Sequence, residues 1–382
     1  MRLALLTTDN REHFRTYDQT VPWFGSAPAA LLQGFESLPD LEVHVVCCSQ
    51  RRMTSPEKLA PNVFYHGVFV PKRGWLRTCY QGCIRAVRAR LNEIQPDIVH
   101  GQGTERDCSI SAVFSGRPNL VTVHGNMRRI AGVMGARPWS LLWLTARLER
   151  FTLARTGGVV CITRHTCQEV GSLAKRTWLV PNAVEESFFE VNAEPGRRLP
   201  PRVVCVGQIY PLKNQNALIR ALDPLAQKHP FELLFLGEAN AGQRYAAEFL
   251  ELVKARPWCL HAGYADRQQL KAHLREATIL VQPTLEDNCP MAVLEAMAAG
   301  LPVLGSRAGG LPDLIEEGRN GLFCEPLEPE TMRAGVEVFL SQPAKAREMG
   351  HYARQRARER FHPRVIARRH VEIYSELLAS GR

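Results

Sequence analysis

No cysteine pair in this 382-residue chain is spaced C-x-x-C, and its cysteine count, eleven, is odd. That excludes a zinc ribbon or a regular disulfide framework and points to reduced, mostly buried thiols, as in a cytoplasmic protein. Long charge-free runs are missing too. The longest, residues 19–35, is broken by Pro22, Gly25 and Pro28, whereas a membrane span needs about 20 mostly apolar residues. The apolar start Leu3–Leu6 meets Asp9 too soon for a secretory h-region and reads as a buried first strand. A G-x-G-x-x-G turn after that strand is absent, Asp9 and Asn10 standing there instead, and so is a Walker A lysine loop. A nicotinamide dehydrogenase or a P-loop kinase is thereby disfavoured. No D-x-D follows a strand and no histidine–carboxylate cluster has ligand spacing, so neither metal nor any other cofactor is expected. Low-complexity sequence is lacking as well, and the 25 prolines are spread along the chain, which excludes disorder.

What is present is the composition of a folded protein: 45% hydrophobic, 23% charged and 8% aromatic, with a length comfortable for two domains. The net charge of +10 is skewed, residues 1–190 holding 23 basic against 16 acidic side chains. Such a skew suggests an anionic partner for the first half. Short Val-, Ile- and Leu-rich runs alternate with helical patterns. Strands are expected over Arg2–Leu6, Glu42–Cys48, Ile98–His100, Leu120–His124, Gly158–Ile162 and Trp178–Val180, with helices over Ala27–Ser37, Leu76–Glu93 and Leu141–Ala154. The alternation stops over Val184–Pro201, rich in proline and without a period, which reads as a linker. A second series follows: Arg202–Val206, Glu232–Leu236, Cys259–His261, Ile279–Gln282, Val303–Gly305 and Gly321–Cys324, then helices over Pro343–Arg360 and Pro363–Leu378. The expectation is an α/β fold of two Rossmann-like domains with parallel sheets facing a central cleft, ligands sitting off the carboxyl ends of the strands.

The most informative stretch is 282–305. A strand ends at Pro283, an acidic loop follows, and a helix begins near Pro290 or Met291. A helix N-terminus offers free N–H groups and a positive dipole end, suited to a diphosphate. Asp287 and Glu295 bracket that turn, and carboxylates there can accept hydrogen bonds from sugar hydroxyls; equally, Asp287 could be a helix cap and Glu295 a solvated or ion-paired side chain.

This stretch resembles the E-x7-E signature of retaining GT-B glycosyltransferases, specifically family 4. Glu295-Ala-Met-Ala-Ala-Gly300-Leu-Pro302-Val303 matches its second half, and Gly309-Gly310 supplies the following Gly-Gly. The first glutamate of the signature falls on Asp287, a shorter acid, with Glu286 beside it. Val206-Gly207-Gln208 through Lys213-Asn214 resembles the G-R-x4-K-G segment that grips the donor phosphates, with Gln208 at the arginine position. Val180-Pro181-Asn182-Ala183-Val184 resembles the PNGVD turn, Asn320-Gly321-Leu322-Phe323 the segment after the nucleotide site, Pro22–Ser26 the glycine-rich loop, and Thr122–Gly125 the strand-end histidine.

The resemblance implies GT-B architecture, with an acceptor-side domain over 1–185, a linker over 186–201, a donor domain over 202–360 and a helix over 361–382 returning to the first domain. By the same resemblance, His124, Lys213 and Asp287 are catalytic. The donor contacts are Gly25, Gly207, Gln208, Lys213, Asp287, Asn288, Cys289, Pro290, Met291, Ala292 and Glu295, with Glu295 on the ribose. The expected partners are a nucleotide-sugar donor, UDP-linked in preference to GDP-linked, and a sugar, lipid-linked or small-molecule acceptor. A nucleotide-sugar epimerase and a non-catalytic nucleotide- or glycan-binding relative are the alternatives. His100, also at a strand end, is expected on the acceptor side or behind it.

Two segments are basic and aromatic. One runs from Lys72 to Arg90 with Trp75, Leu76 and Tyr80; the other from Arg128 to Arg147 with Trp139 and Trp143. They read either as solvated helix faces or as a surface for anionic lipid with tryptophan anchors. No nucleic-acid module is recognisable, so nucleic acid is not an expected partner.

Overall fold

The computed structural model describes residues 1–380 and falls into two compact units, Met1–Ala183 together with the chain from Pro363, and Val184–His362. The first unit holds strands β1 (Arg2–Leu6), β2 (Glu42–Ser49), β3 (Lys58–Ala60), β4 (Val63–Phe69), β5 (Ile98–Gln102), β6 (Asn119–Val123), β7 (Val159–Cys161) and β8 (Thr177–Leu179). They form one sheet in the order β3-β4-β2-β1-β5-β6-β7-β8, parallel except where β3 meets β4. Its helices are α1 (Asn10–Phe14), α2 (Ser26–Glu36), α3 (Gln81–Ile94), α4 (Asp107–Val113), α5 (Met127–Val133), α6 (Leu141–Leu153) and α7 (Arg164–Val170). The central strands are buried on both faces, as their unbroken apolar runs require.

β4 escaped the sequence reading because it alternates buried and half-exposed side chains instead of forming an apolar run. The helix expected over Leu76–Glu93 is shorter: Cys79 (φ 49°) and Tyr80 (φ 61°) both lie in the left-handed region, so two 3₁₀ turns precede α3. Trp75 and Tyr80 are also core residues. The Trp75 indole donates to the Val70 carbonyl (3.1 Å), and Arg106 lies 5.1 Å over its ring. The Lys72–Arg90 segment therefore has neither aromatic available as a surface anchor.

The second unit holds β9 (Arg202–Val206), β10 (Glu232–Leu236), β11 (Cys259–His261), β12 (Ile279–Gln282), β13 (Val303–Ser306) and β14 (Gly321–Cys324), all parallel in the order β11-β10-β9-β12-β13-β14. Around it lie α8 (Gln215–Ala226), α9 (Arg244–Lys254), α10 (Arg267–Arg275), α11 (Met291–Ala299), α12 (Pro329–Ser341) and α13 (Pro343–Phe361). Residues 186–201, read above as a linker, lie within this unit. Their prolines break periodicity, but Phe188, Phe189 and Val191 are buried and a 3₁₀ turn over Glu186–Glu190 packs on α11.

The last helix, α14 (Pro363–Ser380), belongs to the first unit, where it packs on α2. Ile366, Ala367, Ile373 and Tyr374 join the core around β1 and β2. Among the described residues no helix is long and apolar enough to cross a membrane.

In each sheet the first strand sits between neighbours reached in opposite directions, β1 between β2 and β5, and β9 between β10 and β12. These are the switch points where open α/β sheets take ligands.

Candidate active site

In the second unit the switch point is lined by two loops. After β9 the chain turns through Gly207 and Gln208 into a 3₁₀ turn over Pro211–Lys213. After β12 it runs through Thr284 to Asp287 before α11 begins. Thr284 ties the two loops together, its hydroxyl donating to the carbonyls of Leu212 (2.7 Å) and Glu286 (2.8 Å). Held this way, the Lys213 ammonium donates to Asp287 Oδ2 and forms an ion pair with it, both side chains being mostly buried. Burial disfavours the lysine's charge, but Asp287 more than offsets that, and the ammonium's pKa lies above its ordinary value. Gln282 also reaches Asp287 Oδ2 at 3.5 Å, while its own Oε1 is buried without a partner.

Glycines bring backbone to this spot. Gly309 has φ +57°, and a Cβ there would lie 1.8 Å from the Asp287 carbonyl oxygen. Gly310 N–H donates to that same oxygen (2.9 Å). The Gly-Gly pair therefore fixes the loop that carries Asp287. At the other side, a Cβ on Gly237 would fall 2.1 Å from the Gly207 carbonyl oxygen, so the ends of β9 and β10 abut bare of side chains.

Of the remaining residues expected at the donor, Gln208 is exposed, Asn288, Met291 and Ala292 are half-buried, and Cys289 and Pro290 are buried. Pro290 caps α11 rather than starting it. Met291 and Ala292 form its first turn, where amides precede the first intrahelical acceptor. Glu295 is buried within α11, not solvated.

His124 and Gly25 lie in the first unit. Gly25 caps α2, and the next residue but one, Ala27, lines a small recess with His124, Asn182 and His370. His124 Nε2–H donates to Gln102 Oε1 (2.8 Å), and Gln102 Nε2 stands 3.1 Å from His100 Nε2. His100 is fully buried, joined to Thr122 Oγ1 (2.7 Å) and Tyr374 Oη (2.7 Å), with His370 stacked on it. His100 is thus a link from His124 to α14. Burial lowers all three histidines, His124 and His370 to about 4, a hydrogen bond to Asn182 offsetting part of the effect at His124. His124 is accordingly a neutral ring at neutral pH, able to donate or accept a hydrogen bond but not to supply a positive charge.

Two features escaped the sequence reading. Glu105, just past β5, accepts from Gly125 N–H (2.6 Å) beside His124, and burial raises its pKa. An acid directly after a strand was its only signal. Cys48, Cys83 and Asp107 come from three separate elements, yet ligand-type atoms of all three lie within 4.8 Å of one another. The Cys48 thiol is pushed well up, first by Cys83 and then by burial. No sequence spacing announces this group. Asp9, at the missing dinucleotide turn, is fully buried, caps α1 and pairs with Arg11 (2.7 Å), accepting also from Tyr65 (2.7 Å).

Two family models match consecutive parts of the chain, "Glycosyltransferase Family 4" over residues 31–188 and "Glycosyl transferases group 1" over 187–356. A glycogen synthase from Mycobacterium tuberculosis is 26% identical over 288 residues, 73% of this chain and 69% of that protein. Among solved structures, sucrose-phosphate synthase from Thermosynechococcus elongatus superposes with a TM-score of 0.78 at 19% identity, over 100% of both chains. Anabaena HepE in complex with UDP-glucose gives 0.72 at 16% identity, covering 98% of this chain and 100% of that one. With two parallel α/β sheets, a lysine–aspartate pair at the second switch point and a strand-end histidine in the first unit, the chain belongs to the family 4 glycosyltransferases of GT-B architecture.

Proposed function

We propose that the protein is a retaining, metal-independent glycosyltransferase that moves a hexosyl or N-acetylhexosaminyl group from UDP, in preference to GDP, to an acceptor hydroxyl in polysaccharide or glycolipid synthesis. The observation that carries this is the Lys213–Asp287 pair at the switch point of the second sheet. A fixed ammonium there can neutralise a leaving diphosphate, and a carboxylate one side chain away can accept from sugar hydroxyls. Gln208 and the first amides of α11, after Cys289, add donors for the phosphates. Glu295 takes the ribose and His124 a sugar hydroxyl. Retention rests on the resemblance of Asp287 and Glu295 to the E-x7-E signature. HepE was solved with UDP-glucose, which supports UDP as the nucleotide. The reading puts the enzyme in the cytoplasm, with any contact to anionic membrane carried by the Arg128–Arg147 segment, where Trp139 is 86% exposed.

A thermal-shift panel of UDP, GDP and ADP with their sugars tests the donor. A ligand at about 100 times its Kd adds about 2.7 kcal/mol of stability, so the preferred nucleotide should stand out by several degrees. Sugar transfer, with NMR of the product's anomeric proton, tests the reaction and its stereochemistry; donor hydrolysis or epimerisation without transfer would select the alternatives.

Activity is expected to survive EDTA, since Lys213 and the start of α11 supply the positive potential at the diphosphate. An absolute need for added Mn²⁺ or Mg²⁺ would refute this.

Asp287→Asn is expected to impair donor-sugar binding more than Glu286→Gln does. Asp287 carries the contact to Lys213 and is the acid in register with Glu295. Comparison of KM for the donor decides, and greater damage from Glu286→Gln would shift the assignment by one residue.

A further inference from the structure

Between α5 and α6, sharing no lining residue with the strand-end recess, lies a cavity of about 380 Å³ lined by Arg128, Arg147 and Arg150 with Trp143, Ala131 and Ala146 among its walls. None of these arginines pairs with a carboxylate among the described residues, and Arg128 Nη1 is buried with no hydrogen-bond partner. The acid nearest in sequence is spoken for. Glu149 points its carboxylate into backbone, accepting from the N–H groups of Met127 (3.0 Å) and Arg128 (3.1 Å) and from the Thr104 hydroxyl. Arg147 lies over the Trp143 ring at 4.9 Å, a contact that holds its guanidinium flat without neutralising it.

Three guanidinium groups around one cavity, none of them paired with a carboxylate, repel one another. An anion seated there removes that penalty, and a phosphate's oxygens match the guanidinium fork in geometry. Next to the cavity the surface turns apolar: Val133, Met134, Trp139 and Leu141 are each at least half exposed. A ligand that fills the cavity and covers these side chains combines a phosphate with an aliphatic portion.

We infer that this cavity is a phosphate site of the first unit and that the acceptor is a phosphate ester bearing an aliphatic group. This deepens the glycosyltransferase reading and rests on it only in naming the ligand as acceptor, because occupancy of the cavity is measurable without turnover.

The test uses the full chain saturated with UDP, so that Lys213 is not a competing phosphate site. Octyl phosphate, octyl glucoside and inorganic phosphate are titrated by calorimetry. Octyl phosphate is expected to bind saturably and more tightly than either of the others. Arg147→Glu/Arg150→Glu should weaken it roughly tenfold or more, the scale of losing a charge-assisted hydrogen bond, with UDP affinity and Tm unchanged. A neutral pair, Arg147→Gln/Arg150→Gln, guards against a folding defect and should weaken binding in the same direction. Octyl phosphate binding that is equal in wild type and both variants, or no saturable binding of it, overturns the proposal. Co-sedimentation with phosphatidylglycerol–phosphatidylcholine vesicles identifies the source. Arginine-dependent sedimentation displaced by octyl phosphate assigns the phosphate to a bilayer lipid, while octyl phosphate binding without sedimentation assigns it to a soluble ester. Loss of UDP binding with octyl phosphate binding intact would overturn the donor reading and leave this one standing.

Discussion

Lys213→Ala is expected to lower turnover by roughly 10²- to 10³-fold, the loss that follows removal of one preorganised charge stabiliser. Two effects act together. The ammonium that would neutralise the leaving diphosphate is gone, and Asp287, mostly buried, is left without its counter-charge where the proposed site would hold the phosphates. Because the pair raises the lysine's pKa, the wild-type ammonium stays charged throughout the neutral range, and its contribution should not vary with pH there. Steady-state kinetics with the preferred nucleotide sugar checks this, with circular dichroism to confirm the fold. A variant that keeps more than half of wild-type turnover would remove Lys213 from the diphosphate.

Acid is expected to loosen the first unit through its histidines. Burial holds His124 and His370 at about 4, below the unfolded value near 6.5. Between those pH values the unfolded chain binds more protons than the folded one, so stability is complete above about 6.5 and is lost as pH falls towards 4. Each displacement corresponds to roughly 3 kcal/mol, a large part of the 5–15 kcal/mol that typically separates folded from unfolded protein. The buried carboxyl groups of Glu105, Asp107 and Glu149, whose values are raised, act in the opposite sense. The decisive measurement is therefore a comparison: urea midpoints at pH 7 and pH 5 for wild type and for His370→Gln. The variant should be less stable at pH 7 and should lose less on acidification. Equal slopes would mean that His370 does not carry the effect.

The second unit was legible almost strand by strand. Its strands are buried on both faces and so read as unbroken apolar runs, and the loop, helix and Gly-Gly around Asp287 are contiguous in sequence. What could not be read was partnership over distance. Lys213 and Asp287 are 74 residues apart, His100 and Tyr374 are 274 apart, and neither pairing leaves a mark on local periodicity. Composition also failed to separate two tryptophans in similar basic surroundings. Trp75 is closed into the core by the left-handed turn at Cys79 and Tyr80, whereas Trp139 stands in solvent. A half-exposed strand such as β4 and a thiol–carboxyl group such as Cys48, Cys83 and Asp107 are likewise products of tertiary packing, which patterning does not encode.

The return of α14 to the first unit sets an order of events during synthesis. Residues 184–362 are contiguous, so that unit can close around its own core as soon as its chain is available. The first unit cannot, because Ile366, Ala367, Ile373 and Tyr374 belong to its core and are made after the whole of the second unit. His370 also lines the recess of His124, so that recess stays unfinished until translation has passed the second unit. A nascent chain can therefore complete its second unit while the first still waits for α14 to close its core.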